Sequence, residues 1–278
     1  MRTLFNCIFV LLVLNGCTDS GVPEKKFSNI IFNGWMDVNK DTMMVKLVNP
    51  LKCPVRVYVC SWDTAIYGYF KDKNPILVPP RSGHFIMRIN NGFKNRALNT
   101  YGLLGDPKNE IKLDYYSLPI PKGKEVYISQ GYYGKFTHND DFSKFAIDFS
   151  LNENDTVYSA SDGFVVEMTD KNKLGGNSRK WLDYANHIMI YNTKSGLFFD
   201  FVHLAYKGCF VNVGDKIVRG QAIGLAGSTG LSTGIHLHFN VMKPVDSGKG
   251  LKSVSCDFIE GYKGYDLVKG SKVIRRAS

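Results

Sequence analysis

Four histidines and one aspartate between residues 138 and 238 of this 278-residue chain are placed as groups that can work together. His236-Leu237-His238 lies in the short apolar segment Ile235 to Met242, which is approached by the small, turn-forming run Gly227 to Gly234. The segment reads as a β-strand, on which residues i and i+2 share a face. His236 and His238 therefore project together, while Leu237 and Phe239 turn into a core. Two imidazoles on one face of a rigid element suit a metal ligand beside a proton-transfer group. Asp148 sits in Phe145-Ala146-Ile147-Asp148-Phe149, where an acid is costly to bury unless it is paired or bound to a cation. His203 is likewise polar within Phe201-Val202-His203-Leu204, and His138 lies in the polar loop Thr137-His138-Asn139-Asp140-Asp141. Each alone has an ordinary structural reading; their recurrence in one β-rich segment points to a site.

The elements that must position these groups are strands. After the linker-like Leu118-Pro119-Ile120-Pro121-Lys122-Gly123, short apolar segments follow at Val126 to Ser129, Phe145 to Phe149, Thr156 to Ser159, Phe164 to Met168, Ile188 to Tyr191, Leu197 to His203, Ala222 to Leu225 and His236 to Met242. Turn pairs such as Asn154-Asp155, Asp162-Gly163 and Gly214-Asp215 separate them. The polar insertion Asp170 to Asn186 is long for a connection between strands and is a candidate wall for a groove. Upstream, Met43 to Val48, Val55 to Cys60 and Phe85 to Ile89 alternate between Asn, Pro and Gly clusters, which predicts a small sandwich-like β domain. The fold class expected is all-β, with 27–120 an N-terminal β domain, 124–245 the domain that holds the site and 246–278 a C-terminal extension. His84 and His187 read as structural.

Hydrophobic content is 44% and charged content 22%, ordinary for a globular chain. Arg2, the apolar run Leu4 to Leu14 and Asn15-Gly16-Cys17 describe a secretory signal over 1–17, followed by a polar tether over 18–26. The ending resembles a bacterial lipobox, with Cys17 as the lipidated first residue of the mature chain and a route to membrane attachment. An ordinary signal that leaves Cys17 unmodified is the other reading. The formal charge of +10 suits anionic envelope polymers or lipid head groups. No nucleic-acid motif accompanies it, and export argues against that class of partner. Cys53, Cys60, Cys209 and Cys256 lack the spacing of a zinc knuckle; buried thiols and disulfides both remain open.

The segment from about 124 to 245 resembles the lysostaphin/LytM-type zinc metallopeptidases. The resemblance is carried by Ala146-Ile147-Asp148-Phe149, by Val157 to Val165 (V-Y-S-A-S-D-G-F-V), by Val202-His203-Leu204, by Val213 to Gly224 and by Gly227-Ser228-Thr229-Gly230 leading to His236-Leu237-His238-Phe239. It implies a two-sheet antiparallel β domain with a groove, and it implies hydrolysis of peptide bonds in peptidoglycan stems or cross-bridges. It makes Asp148 and His238 zinc ligands and His203 and His236 the catalytic pair. The family's usual first ligand, four residues before the Asp, is here Lys144, a cation and a poor ligand. A subset with an N-terminal β domain is similar over Gln130-Gly131-Tyr132-Tyr133-Gly134-Lys135-Phe136-Thr137-His138, which makes His138 the third ligand.

That set is chemically coherent. Two imidazoles and one carboxylate leave a zinc ion a net positive charge and an open position, the form in which it acidifies a water and polarises a carbonyl. No H-E-x-x-H helix supplies a carboxylate base. Histidines near their ordinary pKa can move the proton or steady an oxyanion. The main alternative is a non-catalytic wall-binding or hydrolase-activating module on the same fold, to which Lys144 would be the clue. A biotinyl-type carrier barrel fits less well because it leaves His236-Leu237-His238 without a purpose.

Overall fold

A computed structural model describes residues 3–7, 32–39, 42–82, 85–90 and 99–276. The expectations for Cys17, the 18–26 tether and His84 fall outside them, as does all of 1–17 except Thr3–Cys7. The chain forms two compact units that meet in sequence between Asp106 and Pro107.

In the first unit the strands Thr3–Cys7, Phe32–Asn39, Thr42–Val48 and Phe85–Asn90 form one antiparallel sheet in that order, and Ile76–Val78, Val55–Cys60 and Asn99–Leu104 form another. Period-2 burial is plain at Met43, Val45 and Leu47; Val55, Val57 and Val59 are buried too, together with Arg56 between them. A helix, Thr64–Lys71, interrupts the strands where no helix was anticipated. Asp63 caps it by accepting from the Ala65 and Ile66 amides, and Ile66 and Phe70, four residues apart, bury one face. Eight residues with two apolar anchors are too short a periodic signal to stand out in the sequence.

The second unit is built on a large antiparallel sheet. Its strand order is Lys216–Ile217, Gly163–Thr169, His187–Tyr191, Phe198–Val202, His236–Pro244, Ile147–Ser150, Glu125–Gln130 and Lys272–Ile274, with Leu251–Ser253 added beside His236–Pro244. A three-stranded sheet, Thr156–Tyr158, Ala222–Ala226 and Leu204–Cys209, accompanies it. Leu237, Phe239 and Val241 of one strand, Phe199 and Phe201 of its neighbour and Ile147 and Phe149 of the next enter a single core. The alternate positions, His236, His238 and Asn240, face the other way.

Residues outside the 124–245 stretch complete this core. Leu118 and Ile120 of the linker-like segment are fully buried in it, and so is Val273 of the extension. The extension also pairs edge to edge, Lys272–Ile274 against Glu125–Gln130. The insertion between Asp170 and Asn186 carries a short 3-10 helix, Arg179–Tyr184, whose Trp181 and Tyr184 pack on Leu231. Its Gly175-Gly176 pairs with Gly230-Leu231, so the insertion buttresses a loop from behind. Cys53, Cys60, Cys209 and Cys256 are thiols, none joined in a disulfide.

Candidate metal centre

Strand register sets the site. Asp148 is the direct cross-strand partner of His238 on one side and of Gln130 on the other, and His238 is in turn opposite Val202. Side chains opposite one another on a shared face are about 5 Å apart at Cβ, so Asp148 and His238 meet without bending either strand. The Asp148 Oδ1 to His238 Nδ1 distance is 2.9 Å. His138 arrives from the loop after the Glu125–Gln130 strand. Its Nε2 stands 3.2 Å from His238 Nδ1 and 3.2 Å from Asp148 Oδ1. These three residues form a group able to hold a metal ion, with His138 and Asp148 buried and His238 half-buried.

The loop that delivers His138 is held on both sides. His138 Nδ1 donates to the Gly131 carbonyl at 2.8 Å, and the His138 amide donates to the Gly134 carbonyl at 3.0 Å. Gly131 is needed for close approach: a Cβ there would lie 2.0 Å from the carbonyl oxygen of Leu267 in the C-terminal extension. The next residue, Tyr132, ties down the same segment, its hydroxyl accepting from the Cys256 amide at 2.8 Å. Gln130 Nε2 bridges Asp148 Oδ2 at 3.0 Å and Thr137 Oγ1 at 2.7 Å, which orients the carboxylate.

The donor chemistry fits a cation. A carbonyl only accepts, so the His138 proton must sit on Nδ1, leaving Nε2 with a lone pair aimed at a carboxylate oxygen and a second imidazole nitrogen. Two acceptors, His138 Nε2 and Asp148 Oδ1, thus face a single nitrogen, His238 Nδ1, whose one proton they share and which a cation can displace. Ligands about 2.0–2.2 Å from a tetrahedral ion are roughly 3.3–3.6 Å from one another, slightly wider than the 2.9 and 3.2 Å seen here. Burial pushes the Asp148 carboxyl up, but the imidazoles of His138 and His238 outweigh it and hold the group well below the usual carboxylate range. For His238, burial lowers the pKa and the Asp148 carboxylate more than offsets it, so the net shift is upward.

His203 and His236 stand beside this group, with ring centroids 4.6 Å apart; the His203 ring is 6.0 Å from that of His238. Both tautomers are fixed by the backbone. His203 Nδ1 donates to the Thr229 carbonyl at 2.7 Å and His236 Nδ1 to the Gly234 carbonyl at 2.8 Å, which leaves both Nε2 atoms as acceptors. Burial, reinforced by His236 and His238, lowers the His203 pKa to about 3. The expected strand Leu197 to His203 ends one residue early, at Val202, because His203 takes a left-handed conformation with φ of 70°. That single residue carries the chain from the large sheet to the small one at Leu204. A histidine in this conformation is strained, and such strain concentrates at functional positions. The corner is held by Asn186, fully buried, whose carboxamide donates to the carbonyls of Asn172 and Ala205, and by Thr229, whose hydroxyl donates to the Leu204 carbonyl.

The structure therefore brings His138, Asp148, His238, His203 and His236 to one place, where Asp148, His203 and His236 line a cavity of about 580 Å³. Lys144 is elsewhere: its ammonium binds Asp141 at 2.7 Å. His187 is half-buried between Asp200, 3.0 Å away, and Glu167, 3.6 Å away. Three supports went unread in the sequence as part of the site: Gln130, Asn186 and the C-terminal segment. Gln130 opens the Gln130-Gly131 motif and was visible there; Asn186, at the end of a polar insertion, carries no local signal.

Residues 142–251 match peptidase family M23, and the chain carries a domain of that family. It is similar to the glycyl-glycine endopeptidase ALE-1 of Staphylococcus capitis, 33% identical over 108 residues, 35% of this chain and 24% of that protein. It is also similar to the peptidoglycan DD-endopeptidase ShyB of Vibrio cholerae, 36% identical over 105 residues, 37% of this chain and 22% of that protein. The chain spans about a quarter of the length of these curated relatives. Among solved structures, the catalytic domain of lysostaphin from Staphylococcus simulans aligns at 28% identity with a TM-score of 0.33, over 47% of this chain and 87% of that one.

Proposed function

We propose that this protein is an exported zinc metalloendopeptidase that hydrolyses peptide bonds in peptidoglycan stem peptides or cross-bridges. The observation that carries the reading is the meeting of His138 Nε2, Asp148 Oδ1 and His238 Nδ1 within 3.2 Å of one another, beside two imidazoles whose Nε2 atoms are free to accept a proton. The substrate class is taken from the relatives, which are named for cleaving glycyl-glycine bonds and peptidoglycan.

His138, Asp148 and His238 would hold the ion, and a zinc ion bound there supplies a Lewis acid that polarises the scissile carbonyl and acidifies water. Gln130 keeps the Asp148 carboxylate turned toward the two imidazoles. His236, its Nδ1–H committed to the Gly234 carbonyl, presents an Nε2 that takes a proton during attack and returns it to the leaving amine, while His203, its Nδ1–H committed to the Thr229 carbonyl, offers a neutral Nε2 acceptor that orients the attacking water. Once protonated, the His236 ring also steadies negative charge developing on the carbonyl oxygen. The low pKa of His203 keeps it neutral at the start of the cycle.

Export and membrane attachment through lipidated Cys17 are part of the proposal, supported by the charged start, apolar run and Cys17 of the N-terminal sequence. Among the described residues no helix is long and apolar enough to cross a membrane.

The test is digestion of purified peptidoglycan by the zinc-loaded full chain, read as new amino termini in the soluble products. Release of peptides that stops in His236→Ala supports the reading. A zinc-loaded chain that binds peptidoglycan and releases nothing sinks it in favour of the wall-binding module.

A further inference from the structure

The cavity beside the metal group has two unlike walls. One is the neutral segment Leu231, Ser232, Thr233, Gly234 and Ile235; the other is made by the loop after Gln130 and by the turn at Val268 and Lys269. The second wall includes two lysines, Lys135 and Lys269, both exposed. Nearby cations are engaged: Lys144 and Lys252 both bind Asp141, Lys272 binds Glu125 and Lys124 binds Asp155. Lys135 and Lys269 have no acidic partner among the described residues. The one carboxylate in the lining is Asp148, already committed to His138, His238 and Gln130. The cavity therefore offers positive charge on one wall and no spare negative charge. A cleft of one sign concentrates ligands of the other.

The basic wall is also firmly built. The turn that carries Lys269 is fixed by the Ser271 amide donating to the Val268 carbonyl at 2.9 Å. It is joined to the Glu125–Gln130 strand by the Gly270 amide donating to the Ile128 carbonyl at 2.8 Å and by the Ile128 amide donating to the Ser271 carbonyl at 2.9 Å. Leu267, just before the turn, is buried in the core. Lys135 sits on the loop whose far end is His138. Both lysines lie outside the residues 142–251 that match the peptidase family.

We propose that Lys135 and Lys269 form a carboxylate-binding subsite that selects anionic peptides for this groove. The inference rests on the peptidase reading for the kind of ligand, a peptide, and adds its charge. In a stem peptide the carboxylate can come from a glutamyl side chain or from the C-terminus.

The experiment uses fluorescent muropeptide stem peptides in four forms, with the glutamyl carboxylate free or amidated and the C-terminus free or amidated. Binding is read by anisotropy on the zinc-loaded His236→Ala chain, and cleavage on the zinc-loaded wild type. The expected result is tighter binding of one free-carboxylate form than of its amide. Lys135→Gln and Lys269→Gln should each remove about two- to fivefold of that preference, the range for partly exposed ion pairs. The amidated peptide should be unaffected, Lys269→Arg should restore the preference, and high salt should abolish it. Which of the two amidations matters identifies the source of the carboxylate. Equal binding of free and amidated forms, or a preference that survives the double Lys→Gln variant, overturns the proposal. Cleavage without preference defeats the subsite and leaves the peptidase reading standing; preference in binding without cleavage does the reverse.

Discussion

Asp148 and His238 stand opposite one another on neighbouring antiparallel strands, and their side chains meet at 2.9 Å. The register that pairs them also fixes His236, two residues earlier on the same face and opposite Ser150. A one-residue slip would turn every one of these groups into the core. The sheet is thus the device that turns a sequence pattern into a site. Asp148→Asn should keep the fold and lose zinc affinity by more than the roughly 10- to 100-fold typical of outer partners. Competition with a chromogenic chelator measures this; near wild-type affinity would remove Asp148 from the ligand set.

Gln130 is such an outer partner. Gln130→Ala removes the 3.0 Å hydrogen bond to Asp148 Oδ2. Zinc affinity is expected to fall by about 10- to 100-fold with the circular dichroism spectrum unchanged. No change in affinity would mean that His138 and His238 suffice to orient the carboxylate.

At His203 the backbone makes a separate claim. With φ of 70°, any residue but glycine is strained there. His203→Gly should therefore be more stable than His203→Ala by about 0.5–1 kcal/mol in urea unfolding of the metal-free protein, the reverse of the order in an ordinary strand. Both variants should be inactive. An alanine variant more stable than the glycine variant would mean that the corner relaxes.

The same residue predicts a pH effect. The His203 pKa is lowered to about 3 in the fold against an ordinary value of 6.5. Between these values the unfolded chain binds the extra proton, so stability falls as pH falls. The contribution is complete above about pH 6.5 and is lost on acidification toward pH 3. Metal-free wild type should lose stability more steeply over that window than His203→Gln. His187 runs the other way. Burial lowers its pKa, but Asp200 and Glu167 more than compensate and hold it well above 6.5. Its contribution is present below pH 6.5 and is lost as pH rises through the raised value, so the gap between wild type and His187→Gln should close on alkalinisation. Parallel pH curves for either pair would contradict the assignment.

Gly131→Ala tests the contact between the His138 loop and the C-terminal segment. A Cβ there would lie 2.0 Å from the Leu267 carbonyl oxygen, a backbone atom that cannot rotate away. A loss of about 1–3 kcal/mol is expected, with weaker zinc binding because the Gly131 carbonyl fixes the His138 ring. Unchanged stability and affinity would show the two segments to be independent.

Much of this arrangement was legible in the sequence for identifiable reasons. The alternation in Leu237, Phe239 and Val241 gave the His236 strand its face, and burial cost singled out Asp148 and His203. His138 was legible only through its motif, because a histidine in a polar loop carries no periodic signal. What remained unread depends on contacts distant in sequence: the left-handed corner at His203 held by Asn186 and Thr229, and Tyr132 bonded to Cys256 across the domain. The sequence marks 246–278 only as a C-terminal extension, and the burial of Leu267 and Val273 places part of it in the core. Pairing of that kind is encoded by shape at long range, which local pattern does not report.

Elemental analysis of the purified chain decides whether His138, Asp148 and His238 are one metal site. About one zinc per wild-type chain is expected after zinc is offered at neutral pH, largely lost in His138→Ala while Lys144→Ala retains it. A wild-type chain that takes up no zinc, or a His138→Ala chain that keeps its full content, would contradict that assignment.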